Sequence, residues 1–452
     1  MQISGLPFGL IFMAALIPMV SSIIGGNWYH LPAIIAVVVV FLILMSDVKN
    51  LRVLFEKRLS CALFIMIILL AFQVVTGRGF VILAAGGYLL MFALFFYNLL
   101  LTGNVSITKI ARELSFIYKF VIGGLIIETL LIFLGLQPLL VDIINSPGGT
   151  GYKNNNPADA LRMIGLFQDA GGLNSIFLGS QIAGMLSLFA VIWFSLLKKC
   201  NWEQRVTSNP NLWVYLSFIM LLITLNGMTL IMTILSVIIN RLFIEKVHAV
   251  KTLILMSLTF LALCSLVFQG YLLDRIFSSE VAVLNPNMLA SYGLTQELYA
   301  ISTFDYYIFM FINPLDVWLL EGEVSKLFGV GTQPFLDSKV FISGDFGFAT
   351  DVLLKSGLLW SVVFLATVLS ICLPALKVKL NGSNEQQLLS RLGSVNALIS
   401  LLWLFSSGHY NQAMQNPGCQ MFFALQLALV MYCSRRARGL LSNQLLSRNI
   451  TN

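Results

Sequence analysis

The sequence predicts an all-α fold, a polytopic integral membrane protein that crosses the bilayer about twelve times as one domain over residues 1–452, and three observations carry the prediction. The chain is 58% hydrophobic and 10% charged, with mean hydropathy +0.88, so no water-facing surface could be covered. Its apolar residues come in long runs, and in hydrocarbon every backbone group must be paired within its own segment, which leaves helices as the reading of such runs. Charge is sorted as well. With the N-terminus set in the cytoplasm, about twenty of the 27 Lys and Arg fall on one side with about six of the 20 Asp and Glu. That leaves roughly +14 inside and −7 outside, the pattern produced when Lys and Arg near span ends resist translocation.

In chain order the spans read 6–24, 31–45, 61–75, 80–101, 116–136, 178–197, 212–225, 229–240, 253–268, 354–373, 393–405 and 421–432. Several are shorter than the ~20 residues of a straight span, and flanking turns complete them. The first has no Lys or Arg before it and no small-residue cleavage site after it, so it is expected as a retained anchor with both termini cytoplasmic. The fifth carries Glu128, an ionisable group of the kind that is rare in a span and is either paired or functional. After the last span, Arg435-Arg436-Ala437-Arg438 acts as the final topological lock. The sequence pI near 9.1 reflects these inner loops facing anionic lipid headgroups, so membrane lipids and not nucleic acid are the expected partners. Cys61, Cys200, Cys264, Cys372, Cys419 and Cys433 form no C-x-x-C pair and are expected as buried small hydrophobes.

Two segments break the rhythm of short connections, and both fall on the outer side: 137–177 and 269–353. Long connections are uncommon in compact proteins unless they work, so these are the expected functional surfaces. Within the second, 299–320 is apolar but carries Asp305, Pro314 and Asp316. Counting it as a span would place Lys377, Lys379 and the Arg435–Arg438 cluster outside, so it is expected as an interfacial helix. The aromatic residues of this loop, among them Tyr299, Tyr306, Tyr307 and Trp318, suit either a membrane interface or the faces of sugar rings. Glu321-Gly322-Glu323 reads as an exposed acidic turn, with a divalent-cation site as the alternative, and no metal site is expected.

The chain has no Walker A, G-x-G-x-x-G, H-E-x-x-H or G-x-S-x-G pattern, so ATP hydrolysis, nicotinamide chemistry and zinc hydrolysis lack support. His248 lies among inner-side cations and His30 ends a short outer turn. His409 sits in Ser406-Ser407-Gly408-His409-Tyr410-Asn411-Gln412 at an outer mouth, where it either caps helices or serves as a general base. The outer cations are Arg78, Lys153, Arg162, Arg275, Lys326, Lys339 and Lys355. A guanidinium on an acidic side neutralises a carboxylate or awaits an anionic ligand, and its parallel donors suit a diphosphate.

The strongest local pattern is Arg162-Met163-Ile164-Gly165-Leu166-Phe167-Gln168-Asp169, just before the sixth span. It resembles the Arg-x-x-Gly-x-Phe segment of the O-antigen polymerase and ligase superfamily. Further resemblances follow in order: Thr224-Leu225-Asn226-Gly227-Met228-Thr229 at the superfamily's Ser/Thr-rich turn, then Phe328-Gly329-Val330-Gly331, Gly344-Asp345-Phe346-Gly347 and Lys355-Ser356-Gly357-Leu358 at the end of its large periplasmic loop. Two departures separate the subfamilies: ligases carry Ser-Arg where this chain has Asn226-Gly227, and His-Asn where it has Gly344-Asp345. The chain therefore resembles the O-antigen polymerase family more than the ligases.

The resemblance implies a GT-C-like glycosyltransferase of a Gram-negative inner membrane with its active site in the periplasm. Its substrates would be undecaprenyl-diphosphate-linked oligosaccharides, with a chain-length regulator and a flippase as protein partners. It implies no cofactor, because a glycosyl diphosphate is already activated. Arg162 and Arg275, with Arg78 in reserve, would stabilise the departing diphosphate, and Asp345 or His409, with Asp169 behind them, would act as base. The alternatives are an O-antigen ligase and, from another class, a lipid-linked oligosaccharide flippase or transporter. A transporter is expected to show repeated halves and midplane charges, and neither repeats nor charges beyond Glu128 are visible.

Overall fold

The computed structural model describes residues 57–102, 107–133, 179–199, 206–223, 227–239, 315, 318–331, 348–377, 384–409 and 417–450. No strand occurs among them, and the described residues are almost entirely helical, as the all-α fold expected from composition requires. The helices are α1 (Lys57–Val75), a π-helical turn (Leu83–Gly87) leading into α2 (Tyr88–Thr102), α3 (Ile107–Phe133), α4 (Gly179–Lys199), α5 (Pro210–Ile223), α6 (Gly227–Ile239), α7 (Glu323–Phe328), α8 (Phe348–Leu376), α9 (Asn384–His409) and α10 (Pro417–Ile450). Three stretches, Lys57–Val75, Val352–Leu376 and Glu385–Phe405, are long and apolar enough to cross a membrane. Ala85–Asn98, Gly184–Lys198 and Pro210–Ile223 are shorter apolar helices. The expected spans 6–24, 31–45 and 253–268 lie outside the described residues, as do the loop 137–177 and most of 269–353.

Burial is sorted the way a bilayer demands. Large apolar side chains point outward, with Phe64 65%, Ile67 59%, Phe116 55% and Tyr215 68% exposed, while Gln73, Ser187, Ser217, Ser394, Ser400 and Gln426 are fully buried. A soluble domain has the reverse preference, whereas in lipid the polar groups gain by turning to other helices. Position within the bundle follows. Only 28% of the apolar window of α1 is buried against 67% of that of α9, so α1 is peripheral and α9 central.

Around α9 the core is aromatic. Trp403 stacks near Phe189 (5.6 Å), Phe422 (6.0 Å) and Phe423 (6.1 Å), and Tyr118 lies 6.1 Å from both Trp193 and Phe422. One chain of hydrogen bonds runs through this core: the Trp193 indole N–H donates to Ser115 Oγ (2.9 Å), which in turn donates to the Ala111 carbonyl (2.7 Å). Ser394 Oγ donates to the Leu376 carbonyl (3.0 Å), joining α9 to the end of α8.

Two details differ from the sequence reading. The expected span 80–101 is broken near its start, where Gly86 takes φ +97° and leaves the helical path. A side chain at Gly86 would collide with the Phe364 ring, and the backbone acceptor released at Ala85 is taken by the Trp360 indole N–H at 2.7 Å. Cys372 and Cys433 are buried as expected, but Cys61 is exposed on the peripheral helix α1. Its burial would have required a neighbour on the face that α1 turns outward.

Candidate functional site

At the end of α1 the chain turns through a Schellman cap. Gly77 adopts φ +72°, its N–H donates to the Val74 carbonyl (3.1 Å), and the Arg78 N–H reaches back to the Gln73 carbonyl (2.7 Å). This geometry needs a residue without Cβ strain at position 77, and it fixes the backbone from which Arg78 projects. The guanidinium lies over the Phe72 ring (5.7 Å from Cζ to the centroid), and Arg78 Nη1 donates to the Gly329 carbonyl. Phe72 in turn contacts the Phe328 ring with centroids 4.4 Å apart.

The second wall is a broken helix. α8 begins at Phe348, but Gly357 takes φ +84°, ψ +167° and interrupts it. Such a break leaves the preceding carbonyls without their i+4 donors, and this close to lipid they must find others. They do so across the chain. The Val330 N–H donates to the Leu354 carbonyl (3.0 Å), and the Gly331 N–H to that of Lys355 (3.1 Å). Gln73 Nε2 adds bonds to the Phe328 (3.2 Å) and Lys355 (3.4 Å) carbonyls. Gly329 and Gly331 are glycines for the same reason: both have positive φ, and a Cβ on either would strike the backbone of Lys355 or Arg78.

The segments Phe328–Gly331 and Lys355–Leu358, singled out separately in the sequence, thus form one clasp with the turn that carries Arg78. Short α7 delivers the first of them. It is stapled by Lys326 Nζ to Glu323 at 3.0 Å and by the Trp318 indole N–H to the Lys326 carbonyl at 3.2 Å. Glu323 is thereby in an ion pair, and among the described residues no group of three His, Cys, Asp or Glu could hold a metal ion. Trp318, expected at an interface or against sugar, uses its polar edge inside this fold.

Of the site residues expected from sequence, Arg78 is the one whose side chain is described, and it is half-buried at the centre of the clasp. Its bond to Gly329 uses one of five guanidinium N–H groups. His409 is the last residue of α9. That helix starts beside Lys57 and Arg58, where Gln386 and Leu389 share a cavity with them, so its far end lies at the same end of the bundle as Arg78. Arg162, Arg275, Asp169 and Asp345 lie outside the described residues, as does the side chain of Glu128.

Sequence reasoning missed Gln73, and it singled out Gly357 only as part of the segment Lys355–Leu358, not as the break in α8. Gln73 is fully buried, and its signal was present: a single amide in the apolar run Leu69-Leu70-Ala71-Phe72-Gln73-Val74-Val75. Two further buried atoms in the clasp, Gln73 Oε1 and Ser356 Oγ, have no hydrogen-bond partner among the described residues. No protein-family model matches this chain, and no curated protein matches it.

Proposed function

We propose that this protein is a polytopic glycosyltransferase of the O-antigen polymerase kind, with about twelve spans and a GT-C-like architecture. In this reading it works at the periplasmic face of a bacterial inner membrane with both termini in the cytoplasm. It transfers a growing glycan from undecaprenyl diphosphate to the terminal sugar of a lipid-linked repeat unit. The observation that supports this best is the clasp: two loop-end segments that resemble the polymerase family lie against each other with an arginine at their junction.

The chemistry requires little beyond charge and position. The acceptor hydroxyl oxygen bonds to the anomeric carbon as that carbon's bond to the diphosphate oxygen breaks. The hydroxyl proton passes to a carboxylate or imidazole, for which Asp345 and His409 are the first candidates and Asp169 the third. The departing lipid diphosphate carries off the bonding electrons, and guanidinium groups stabilise it, with Arg162 and Arg275 assigned to this role and Arg78 in reserve. The N–H groups that open the helix again after Gly357 add favourable partial charge at the same place.

One observation favours another class. Discontinuous helices mark ion and substrate sites in transporters, and α8 is discontinuous. The break lies near the start of its apolar stretch Val352–Leu376, however, and transporter sites sit near the midplane.

The deciding experiment supplies purified protein with a polyprenyl-diphosphate-linked repeat unit and no nucleotide. Polymerase activity yields a ladder of longer lipid-linked glycans, and Arg162→Ala collapses it to single repeats. Unchanged substrate, together with transfer of labelled lipid across proteoliposomes, would assign a flippase. Full ladders from both Arg162→Ala and Arg162→Lys would remove that arginine from the mechanism.

A further inference from the structure

One residue holds Arg78 from two directions. The Gln73 carbonyl accepts the Arg78 N–H at 2.7 Å and fixes the backbone from which the guanidinium leaves. The Gln73 amide donates to the Phe328 carbonyl, in the peptide next to the one whose Gly329 oxygen receives Arg78 Nη1. Phe72, one position earlier, lies beneath the guanidinium and meets the Phe328 ring at 4.4 Å. The dipeptides Phe72-Gln73 and Phe328-Gly329 therefore frame the guanidinium between them.

Through the Val330 and Gly331 N–H groups the segment 328–331 is bonded to the Leu354 and Lys355 carbonyls, so it moves with α8. Arg78 moves with α1. Gln73 joins the two: its Nε2 reaches the Phe328 carbonyl at 3.2 Å and that of Lys355 at 3.4 Å, and this sets how far the backbone of Arg78 stands from its acceptor. Two carbonyls meeting at one nitrogen require two donors, which an amide NH2 supplies and a carboxylate or thioether does not. The Gln73 side chain is fully buried, so losing it leaves those carbonyls short of a donor in a place shielded from water. We propose that Gln73 is a positioning residue for Arg78, holding α1 and α8 at the separation that keeps the guanidinium flat on Phe72 and presented to the lipid-borne diphosphate. The positioning rests on the bonds just given, and the identity of the ligand rests on the transferase reading.

The test compares the full chain in detergent, wild type against Gln73→Met, which keeps the side-chain volume and removes both donors. Ser394→Ala, which deletes the buried bond to the Leu376 carbonyl at the other end of the bundle, reports the loss of an ordinary core bond. In the first arm phenylglyoxal modifies the arginines and mass spectrometry reads each site. Modification of Arg78 is expected to rise about five-fold in Gln73→Met, the Boltzmann factor of one hydrogen bond. It should stay within about two-fold in Ser394→Ala, as should that of exposed Arg112 in every variant. In the second arm the ladder assay is run over a range of lipid-linked donor. The half-saturating concentration should rise about ten-fold in Gln73→Met, the worth of one hydrogen bond to a charged group, whereas a merely less stable protein lowers kcat alone. Adding Gln73→Met to Arg78→Lys should change that concentration little further. Unchanged modification of Arg78, an equal rise in Ser394→Ala, or a half-saturating concentration unmoved by Gln73→Met while ladders form would each overturn the positioning role. No ladder from wild type would overturn the transferase reading alone, and the modification rates then decide the role of Gln73.

Discussion

The two ends of the bundle hold themselves together in different ways. At the clasp end, Gly77, Gly329, Gly331 and Gly357 all take positive φ, and backbone groups of distant segments bond directly, so fit leaves almost no slack. At the basic end five cations are among the residues that line a cavity, Lys57, Lys377, Arg435 and Arg438 are exposed, and Arg435 and Arg438 donate to the Tyr97 hydroxyl and the Ser434 carbonyl. The first arrangement fixes geometry and the second leaves room for something mobile. A site built like the first can hold groups in a fixed geometry, which a reacting centre requires.

This contrast is broken most forcefully at Gly357. An alanine there must take φ near +84° and place its Cβ against the Gly329 amide and the Leu327 carbonyl. The expected cost is about 3 kcal/mol or more, read as a large fall in the detergent melting temperature or failure to accumulate in membranes. Gly123→Ala is the control: it sits in α3 with nothing within 4 Å of the added methyl, so melting should hold or rise slightly.

A smaller effect is expected from Gln73→Leu. It strips donors from the Phe328 and Lys355 carbonyls and should cost on the order of 2 kcal/mol, seen in the same melting assay. An unchanged midpoint would mean those carbonyls find other donors and that Gln73 does not join the clasp. Arg78→Lys keeps the charge but loses the flat stacking on Phe72, so about 1 kcal/mol of stability should go. If Arg78 also touches the diphosphate, polymer length in the ladder assay should shorten by more than melting alone explains. The smallest effect belongs to Glu323→Gln, whose partner bond is exposed and should be worth under about 0.5 kcal/mol. At the basic end, Arg58→Gln should likewise leave melting nearly unchanged; a large fall would show that this end is as tightly built as the clasp.

Much of the architecture could be read along the chain. The runs at 61–75, 354–373, 393–405 and 421–432, and 178–197 from Gly179 on, lie in helices, because an apolar run in lipid has one way to pair its backbone. Helix ends were less legible. α3 begins at Ile107, well before the apolar run at 116–136, and α10 continues from Pro417 to Ile450, since hydropathy marks where hydrocarbon ends and helices continue into water. The break at Gly357 was illegible for a related reason: glycine is common in membrane helices, and nothing local separates one that packs from one that turns. Arg78 ranked third among the cations because its neighbours in sequence are glycines and its partners in space are remote.

By itself, then, the sequence determined the membrane class and the apolar runs that form helices among the described residues, both consequences of transferring short stretches of chain between water and lipid. Tertiary structure alone decided that Gln73 should bond Phe328, 255 residues away, and Lys355, 282 residues away, and that five scattered cations should line one cavity. Those outcomes depend on which helix faces meet, a property of packing that no single segment encodes.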